Sequence, residues 1–371
     1  MLFIDLKTGR ERAKAELDAR IAAVLEHGMF IMGPEIVELE AKLAGYVGVK
    51  HAVSVSSGTH GLELALRALG VGPGDEVVTP AFSWISAAEV VRLVGATPVF
   101  VDIEPGSFVL DARRLEASLT PATKAIIPVS LFGQMPDFAA LGAVSARHRV
   151  PLIEDAAQSF GASQHGRKSG GVSLIGCTSF FPSKPLGCFG DGGALFTDDD
   201  ALATRLRAIR THGSQDRKLH TVVGTNARLD TLQAAVLLGK LPHFDEELTL
   251  RARIGARYSE RLRGYCQVPE VSPGNTHVYA QYTIRLENRD AVATRLREQG
   301  IPTAVYYAKC LHEQPVFAHH ARFGKLVESE RAASEVLSLP MHPYLTEADQ
   351  DRVVDALKSA IACGAVSSNL A

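Results

Sequence analysis

The stretch EVVTPAFSWISAAEVVRLVGATPVFV, residues 76–101, decides the fold class of this 371-residue chain. It contains an apolar run at 76–79, an amphipathic helix pattern at 86–94 and a second apolar run at 97–101. A strand, a helix and a strand in succession form a βαβ unit. Because such a unit contains a crossover, its two strands are predicted to lie parallel in one sheet.

The same alternation extends outward from this stretch. Further strands and helices are predicted in turn: strands at 52–55, 125–129 and 151–153, and helices at 59–69, 111–119 and 138–147. The strands are almost continuously apolar, which is typical of a sheet buried on both faces. We therefore predict an α/β fold with a mostly parallel central sheet in a large domain.

The C-terminal part predicts a second, smaller unit. A long helical segment is predicted at 231–263, and strands and helices alternate after it, including a strand at 303–306. We place a domain boundary near Phe244. This gives a large domain of residues 1–244 and a small C-terminal α+β domain of residues 245–371.

Composition limits the classes of function. Hydrophobic residues make up 46%, charged residues 22%, and the net charge is -2, as in ordinary globular proteins. This net charge does not indicate binding to nucleic acid or to an anionic membrane surface. No apolar run has the length of a membrane span, no secretory segment stands at the start, and no HExxH motif predicts zinc. We expect a cytoplasmic protein without a metal site.

A polar turn follows the first predicted strand. Ser56, Ser57, Gly58 and Thr59 come directly after residues 52–55 and precede a helix. Free backbone N–H groups and the helix dipole favour a phosphate there. Serine and threonine are also ordinary N-caps, so this turn alone leaves both interpretations open. Neither a Walker A nor a GxGxxG motif is present, which removes the usual support for ATP or a dinucleotide.

Two acids, Glu154 and Asp155, follow a predicted buried strand in LIEDAAQ, residues 152–158. A buried carboxylate needs a partner, because burying an unpaired charge costs free energy. A protonated pyridine nitrogen is one such partner, and an aspartate that touches it keeps the ring protonated as an electron sink. A helix N-cap acid is the ordinary alternative.

A lysine and a tryptophan also stand near predicted strand ends. Lys184 lies between two prolines in TSFFPSKP, residues 178–185. A lysine in a partly desolvated pocket has a lowered pKa and can attack an aldehyde, although most loop lysines are simply solvated. Trp84 can stack on a flat ring or pack in the core. A phosphate-binding turn, an aromatic ring, an acid and a lysine at strand ends are together what a pyridoxal phosphate site requires.

The sequence also resembles the DegT/DnrJ/EryC1/StrS sugar aminotransferases, over about residues 4–357. The segments that carry the resemblance are spread along the chain: GPGDEV at 72–77, PVFVDI at 98–103, IEDAAQ at 153–158, SFFPSK at 179–184, GDGGA at 190–194 and SLPMHP at 338–343. The resemblance implies the aspartate aminotransferase-like fold type I, with pyridoxal 5'-phosphate as the cofactor.

The resemblance implies a role for each residue around the cofactor ring. Lys184 forms a Schiff base with the cofactor and then moves a proton between the sugar carbon and the cofactor. Asp155 pairs with the ring nitrogen, which makes Lys184 and Asp155 the catalytic residues. Gln158 bonds the ring hydroxyl, and Trp84 stacks on the ring.

The resemblance further implies a shared phosphate site. Gly58, Thr59 and Ser179 hold the cofactor phosphate. Asn226, in GTNARLD at residues 224–230, matches an asparagine that reaches the phosphate of the partner subunit. The expected assembly is a homodimer with two shared active sites.

Within the family, residues 178–193 and VYAQYT at 278–283 resemble members that aminate a UDP-linked N-acetylated keto-uronic acid. Such members act at the 3-keto carbon, take the amino group from glutamate and serve lipopolysaccharide biosynthesis. Arg228 is our candidate for an anionic group of this substrate, because a guanidinium binds a carboxylate bidentately. An ion pair with Asp230 or another acid is its ordinary alternative. Tyr307 is expected to bond a sugar hydroxyl or to pack.

Two positions depart from the common family pattern. His60 stands where many relatives have an acid, and YYAK at 306–309 stands where many have His-Tyr-Pro. Two other functions remain open: a C4-aminotransferase on a UDP- or dTDP-linked keto-deoxy sugar, and a regulatory protein that binds the cofactor without turnover. The filled catalytic positions argue against the regulator. Lys184 argues against the sugar dehydratases, in which a histidine replaces the lysine.

Overall fold

The structure, a computed structural model, describes residues 1–214 and 218–367, with the side chains of residues 1–362 apart from that gap. Its helices are α1 (Leu6–Arg12), α2 (Lys14–His27), α3 (Pro34–Val47), α4 (Gly58–Ala68), α5 (Ser86–Leu93), α6 (Ala112–Leu115), α7 (Phe138–His148), α8 (Asp200–Arg210), α9 (Thr231–Lys240), α10 (Phe244–Leu262), α11 (Arg289–Glu298), α12 (Val327–Glu335) and α13 (Glu347–Ser367). Its strands are β1 (His51–Val55), β2 (Glu76–Pro80), β3 (Thr97–Val101), β4 (Thr123–Ile126), β5 (Ile153–Asp155), β6 (Ser163–Gln164), β7 (Arg167–Lys168), β8 (Ile175–Ser179), β9 (Gly193–Thr197), β10 (Tyr282–Arg285), β11 (Arg322–Phe323) and β12 (Val336–Leu339).

The large sheet consists of two hydrogen-bonded halves, β1-β9-β8-β5 and β4-β2-β3-β11. Isolated parallel bridges, Ile126 with Leu152 and Val129 with Asp155, connect the halves between β4 and β5. β9 runs antiparallel to β1 and β8, and the other pairs in this sheet are parallel. The prediction of a mostly parallel central sheet is therefore confirmed.

Both faces of this sheet are covered by helices. On β9, Leu195 packs into one hydrophobic cluster with Leu62 and Leu66 of α4. Its neighbour Phe196 points to the opposite face and packs with Leu39 of α3. Successive strand side chains alternate between faces, so a strand must be apolar throughout when both faces are buried. This accounts for the uninterrupted apolar runs in the sequence.

The predicted helical segment at 231–263 is confirmed, but it consists of two α-helices, since α9 ends at Lys240 and a single 3-10 turn with Pro242 precedes α10. Proline lacks the N–H that a continuous helix needs and crowds the preceding turn. Another prediction for the C-terminal part was wrong. Residues 303–306 are not a strand, and only Ala304 bridges to Ser338. The partner of β10 is instead β12, which the sequence interpretation missed.

The division of the chain at residue 244 stays a prediction. α10 begins at Phe244, and the β10–β12 sheet shares a hydrophobic cluster with side chains of α10, α11 and α13. β11 comes from the same C-terminal part, yet it pairs with β3 of the large sheet. Within the described ranges, no helix combines the length and the apolar character that crossing a bilayer requires.

Candidate active site

Three strands that run in the same direction position the site. β1, β5 and β8 end at Val55, Asp155 and Ser179, respectively. Since β1 and β8 are both antiparallel to β9, and β5 is parallel to β8, their carboxyl ends lie along one edge of the sheet. Ligands of parallel α/β sheets bind at such an edge.

The Asp155 carboxylate is buried at this edge. Its Oδ1 accepts a hydrogen bond of 3.0 Å from the backbone N–H of Ala157, and no other described group donates to the carboxylate. Burial raises the pKa of Asp155, while the Ala157 hydrogen bond and the charge of Lys184 act in the opposite direction. A buried carboxylate with a free oxygen is suited to a protonated ring nitrogen.

Lys184 lies close enough to Asp155 for each charge to act on the other. Its side chain is half-buried, and its backbone N–H donates to the carbonyl of Phe181 at 2.8 Å, which forms a tight turn after β8. Burial lowers the pKa of Lys184, and the Asp155 carboxylate partly opposes this effect. A lowered pKa makes the neutral, nucleophilic amine more accessible.

Gly58, Thr59 and Ser179 form a cradle at the start of α4. A Cβ atom added to Gly58 would lie 2.8 Å from the Cβ of Ser179, so the approach of α4 to β8 requires glycine. Thr59 Oγ1 shares a hydrogen bond of 2.8 Å with Ser86 Oγ. The first N–H groups of a helix have no acceptor within the helix and favour an anion. The structure thus brings together the three residues expected to hold a phosphate.

Gln158 lies between the backbone and an aromatic group. Its Oε1 accepts from the Phe132 N–H at 2.7 Å, and its Nε2 donates to the Tyr307 hydroxyl oxygen at 3.1 Å. The rings of Tyr307 and Trp84 lie 5.8 Å apart between centroids. Burial raises the pKa of Tyr307, so its hydroxyl stays protonated. Sequence reasoning missed Phe132, because its contribution is a backbone N–H that no residue pattern reveals.

Asn226 and Arg228 lie in the segment that connects α8 to α9. Asn226 is exposed, and the adjacent Ala227 carbonyl accepts from the Ser56 N–H at 2.9 Å, beside the phosphate cradle. The buried Nε of Arg228 has no hydrogen-bond partner. Among the residues that the structure describes, Arg228 also forms no ion pair, so the pairing with Asp230 is not present.

Arg228 lines a cleft of about 430 Å³ together with Ile31, Thr211, His212 and His220. The imidazole Nδ1 of His220 lies 2.7 Å from the carbonyl oxygen of His212. In the described chain, no hydrogen bond joins Arg228 or Asn226 to Lys184 or Asp155.

Comparison with known proteins identifies the family. The profile of the DegT/DnrJ/EryC1/StrS aminotransferase family matches residues 11–358. The chain is 52% identical to the UDP-2-acetamido-2-deoxy-3-oxo-D-glucuronate aminotransferase of Pseudomonas aeruginosa, over 96% of this chain and 99% of that protein. It is 43% identical to the UDP-N-acetyl-3-dehydro-alpha-D-glucosamine 3-aminotransferase of Acidithiobacillus ferrooxidans, over 96% of both chains. A crystal structure of S. venezuelae DesV in complex with a ketimine intermediate has a TM-score of 0.95 and 42% identity, covering 97% of this chain and 98% of that one.

The fold and the site define a fold type I pyridoxal-phosphate enzyme. The residues fit the cofactor, because the buried Asp155 has a free oxygen and the Gly58 cradle admits no side chain. The chain belongs to the DegT/DnrJ/EryC1/StrS aminotransferase family. It is a sugar aminotransferase, and its cofactor is pyridoxal phosphate.

Proposed function

We propose that the protein transfers the amino group of glutamate to the 3-keto carbon of a UDP-linked N-acetylated keto-uronic acid, in the biosynthesis of a bacterial lipopolysaccharide O-antigen. Glutamate and the keto sugar become 2-oxoglutarate and the amino sugar, so the exchange needs no oxidant. The name of the P. aeruginosa relative, which matches over nearly the whole chain, supports a 3-oxo uronate substrate. The name of the A. ferrooxidans relative supports amination at carbon 3 of a UDP-sugar.

The buried Nε of Arg228 supports a substrate with an anionic group, and the name of the P. aeruginosa relative supports the uronate in particular. This Nε has no hydrogen-bond partner, and the Arg228 cleft also contains His212 and His220. Leaving a buried guanidinium N–H unpaired costs free energy, which an incoming anion would recover. A sugar carboxylate or a diphosphate meets this requirement, and the keto-uronic acid supplies both.

The residues at the sheet edge have distinct tasks in this proposal. When bound, pyridoxal phosphate supplies an electron sink for the carbon that loses a proton. Asp155 keeps the ring nitrogen protonated, and Gln158 donates to the ring hydroxyl oxygen. Lys184 Nζ would move a proton from the amino-acid carbon to the cofactor in the first half of the exchange, and from the cofactor to the sugar carbon in the second half. This task suits an amine whose pKa burial lowers.

The proposal includes a homodimer in the cytoplasm. Asn226 is exposed in its own subunit, beside the phosphate cradle, and a second copy would bring it to the cofactor phosphate of that copy. Arg228, two residues further on, would then face the partner's substrate. Size-exclusion chromatography with light scattering tests the assembly, and a monomeric active enzyme would contradict it.

The first experiment measures the visible absorbance of the purified holoenzyme before and after glutamate. Bleaching by glutamate, and recovery on adding the 3-keto uronate, would support the proposal. The same assay with a 4-keto deoxy sugar tests the C4-aminotransferase, and recovery with that sugar alone would replace the proposal by this alternative. Absorbance that ignores every amino donor would favour the non-catalytic regulator. Lys184→Ala should lower turnover by at least about a thousandfold, because the proton carrier is lost.

A further inference from the structure

Glu154, which precedes Asp155, has a fully buried carboxylate. The proposed reaction does not use this group. Its Oε1 accepts from Ser169 Oγ at 2.6 Å and from Ser130 Oγ at 3.1 Å. Its Oε2 accepts from the backbone N–H of Gly170 at 2.7 Å. Three donors from two separate segments therefore converge on one side chain.

Both segments are also hydrogen-bonded to residues at the cofactor site or next to it. The N–H of Ser130 donates to the carbonyl oxygen of Asp155 at 3.0 Å. Ser169 Oγ is 2.6 Å from Ser159 Oγ, and Ser159 directly follows Gln158. Hydrogen bonds thus connect Glu154 to the Asp155 backbone through one residue, Ser130, and to the residue beside Gln158 through Ser169.

We propose that Glu154 is a positioning residue, which holds Asp155 and Gln158 in place for the cofactor through Ser130 and the Ser169–Ser159 pair. The inference rests on the cofactor roles given to Asp155 and Gln158 in the proposed function. All four hydroxyl and carboxylate groups of the network are buried, so water does not replace a lost partner. A displaced network would therefore move the backbone on which both cofactor residues stand.

Stability alone does not account for an acid at this position. Burial raises the pKa of Glu154 to about 7, although Ser169, Gly170 and Ser130 donate to it. The Asp155 charge acts in the same direction as burial. The ionised carboxylate is therefore a burden on the folded state at neutral pH. Buried ionisable groups with strongly shifted pKa values are concentrated at functional sites. There, a fixed arrangement of polar groups serves function at a cost in the free energy of folding.

The test compares Glu154→Gln with Asp102→Asn in the full-length holoenzyme. In Glu154→Gln, the amide can accept from both serines only by turning its NH2 group toward the Gly170 N–H, where two donors meet. Asp102 is an equally buried carboxylate that accepts from Ser329 N–H, Ser329 Oγ and Glu328 N–H at 2.7–3.0 Å. Its network ties α12 to the end of β3 and does not include Asp155 or Gln158.

Two measurements distinguish positioning from a structural role. Glu154→Gln should weaken pyridoxal phosphate binding by about tenfold, the effect of one lost buried hydrogen bond. It should also raise the midpoint of the pH titration of cofactor absorbance. A displaced Asp155 would stabilise the protonated ring nitrogen less, and a neutral ring would not repel the proton on Lys184 Nζ, so that proton would be lost at higher pH. Asp102→Asn should lower stability and leave both cofactor measurements unchanged.

A folded Glu154→Gln enzyme with wild-type cofactor affinity and midpoint would overturn the inference, as would equal shifts in Asp102→Asn. If Glu154→Gln does not fold, Ser169→Ala breaks the link to Ser159 and keeps the carboxylate. It should shift both measurements in the same directions, and wild-type values would overturn the inference. A wild-type protein that binds no pyridoxal phosphate would instead contradict the proposed function.

Discussion

The amide nitrogen of Gln158 donates a 3.1 Å hydrogen bond to the hydroxyl oxygen of Tyr307. The amide oxygen is occupied by the Phe132 N–H, which fixes the orientation of the side chain. Because the Tyr307 oxygen accepts, the Tyr307 proton is free to point toward a ligand. A residue expected at the cofactor and one expected at the sugar are thus in direct contact.

Tyr307→Phe tests this contact. Loss of the hydroxyl removes the donor to the sugar and leaves Gln158 Nε2 without its acceptor, so KM for the keto sugar should rise about tenfold. Steady-state kinetics with the sugar and with glutamate varied separately measure the effect. Tyr306→Phe is the matched control, since Tyr306 has no hydrogen bond to Gln158. Equal changes in both variants would contradict a specific role for Tyr307.

Gly58→Ala tests the phosphate cradle. The new Cβ would meet the Cβ of Ser179 at 2.8 Å, which forces α4 and β8 apart. We expect a loss of about 1–3 kcal/mol in the free energy of unfolding, as for other overpacked positions, and weaker pyridoxal phosphate binding. Urea denaturation and cofactor titration measure the two effects.

Gly142→Ala in α7 is the control for the cradle. Apart from its chain neighbours and the backbone of α7 itself, no described atom lies within 4 Å of its added Cβ. Alanine favours a helix over glycine by about 0.8–1.0 kcal/mol, so this variant should gain stability and keep its cofactor affinity. Cofactor binding that weakens equally in both variants would mean that Gly58 has no special place in the cradle.

Asp155→Asn tests the ring-nitrogen contact. The amide has nearly the same shape, but it carries no charge to hold the ring nitrogen protonated. The turnover number should fall by about a hundredfold or more, since electrostatic stabilisation is lost where charge develops. Asp137→Asn, at the exposed N-cap of α7, is the control, because asparagine caps a helix as well as aspartate does. Near-normal turnover of Asp155→Asn would exclude this role.

Arg228→Met tests recognition of an anion. The variant keeps an apolar stem of similar length and removes the charge, so kcat/KM for the keto-uronic substrate should fall by about thirtyfold or more. Arg228→Lys should recover only part of this loss, because lysine lacks the bidentate fork. Arg253→Met removes an exposed arginine paired with Glu347 and should have no effect on catalysis. If Arg228 binds the carboxylate itself, Arg228→Met should lower kcat/KM less for a keto sugar without a carboxylate than for the keto-uronic acid.

The pH dependence of stability tests the environment of Glu154. Burial raises its pKa from 4.5 to about 7, so the folded protein binds this proton more tightly than the unfolded chain does. The resulting stabilisation is fully present below pH 4.5 and is lost as the pH rises to about 7. The shift corresponds to about 3 kcal/mol in the free energy of unfolding. The buried Asp155, whose pKa is also raised, acts in the same direction.

Urea denaturation of the apoprotein at pH 5 and pH 8 measures this effect. Between these conditions, wild type should lose more stability than Glu154→Gln, which has no titrating group at this position. Identical losses in the two proteins would show that Glu154 does not titrate in this range.

The sequence predicted the large sheet well because its signals are local. The apolar runs of β2 and β3 and the amphipathic pattern of α5 each lie within a few residues, and the structure has all three. The residues at strand ends were also visible, since Asp155 and Ser179 end β5 and β8. Proximity of Asp155 and Lys184 follows from that shared edge.

What the sequence did not reveal depends on distant parts of the chain. β12 pairs with β10, and β11, which has two residues, pairs with β3, more than two hundred positions earlier. Strand length and periodicity hold no information on such pairing. The Glu154 network was equally hidden, because serines at 130 and 169 carry no pattern that identifies their common partner.

The pairing of β11 with β3 has a consequence for biosynthesis on the ribosome. Until residues 322 and 323 have emerged, β3 is an open edge of the nascent sheet, with unpaired backbone groups that can join another chain. The order of translation therefore delays completion of the N-terminal sheet until most of the polypeptide exists. A fragment that stops at residue 244 should aggregate where the full chain does not, and a chaperone that shields strand edges should rescue it.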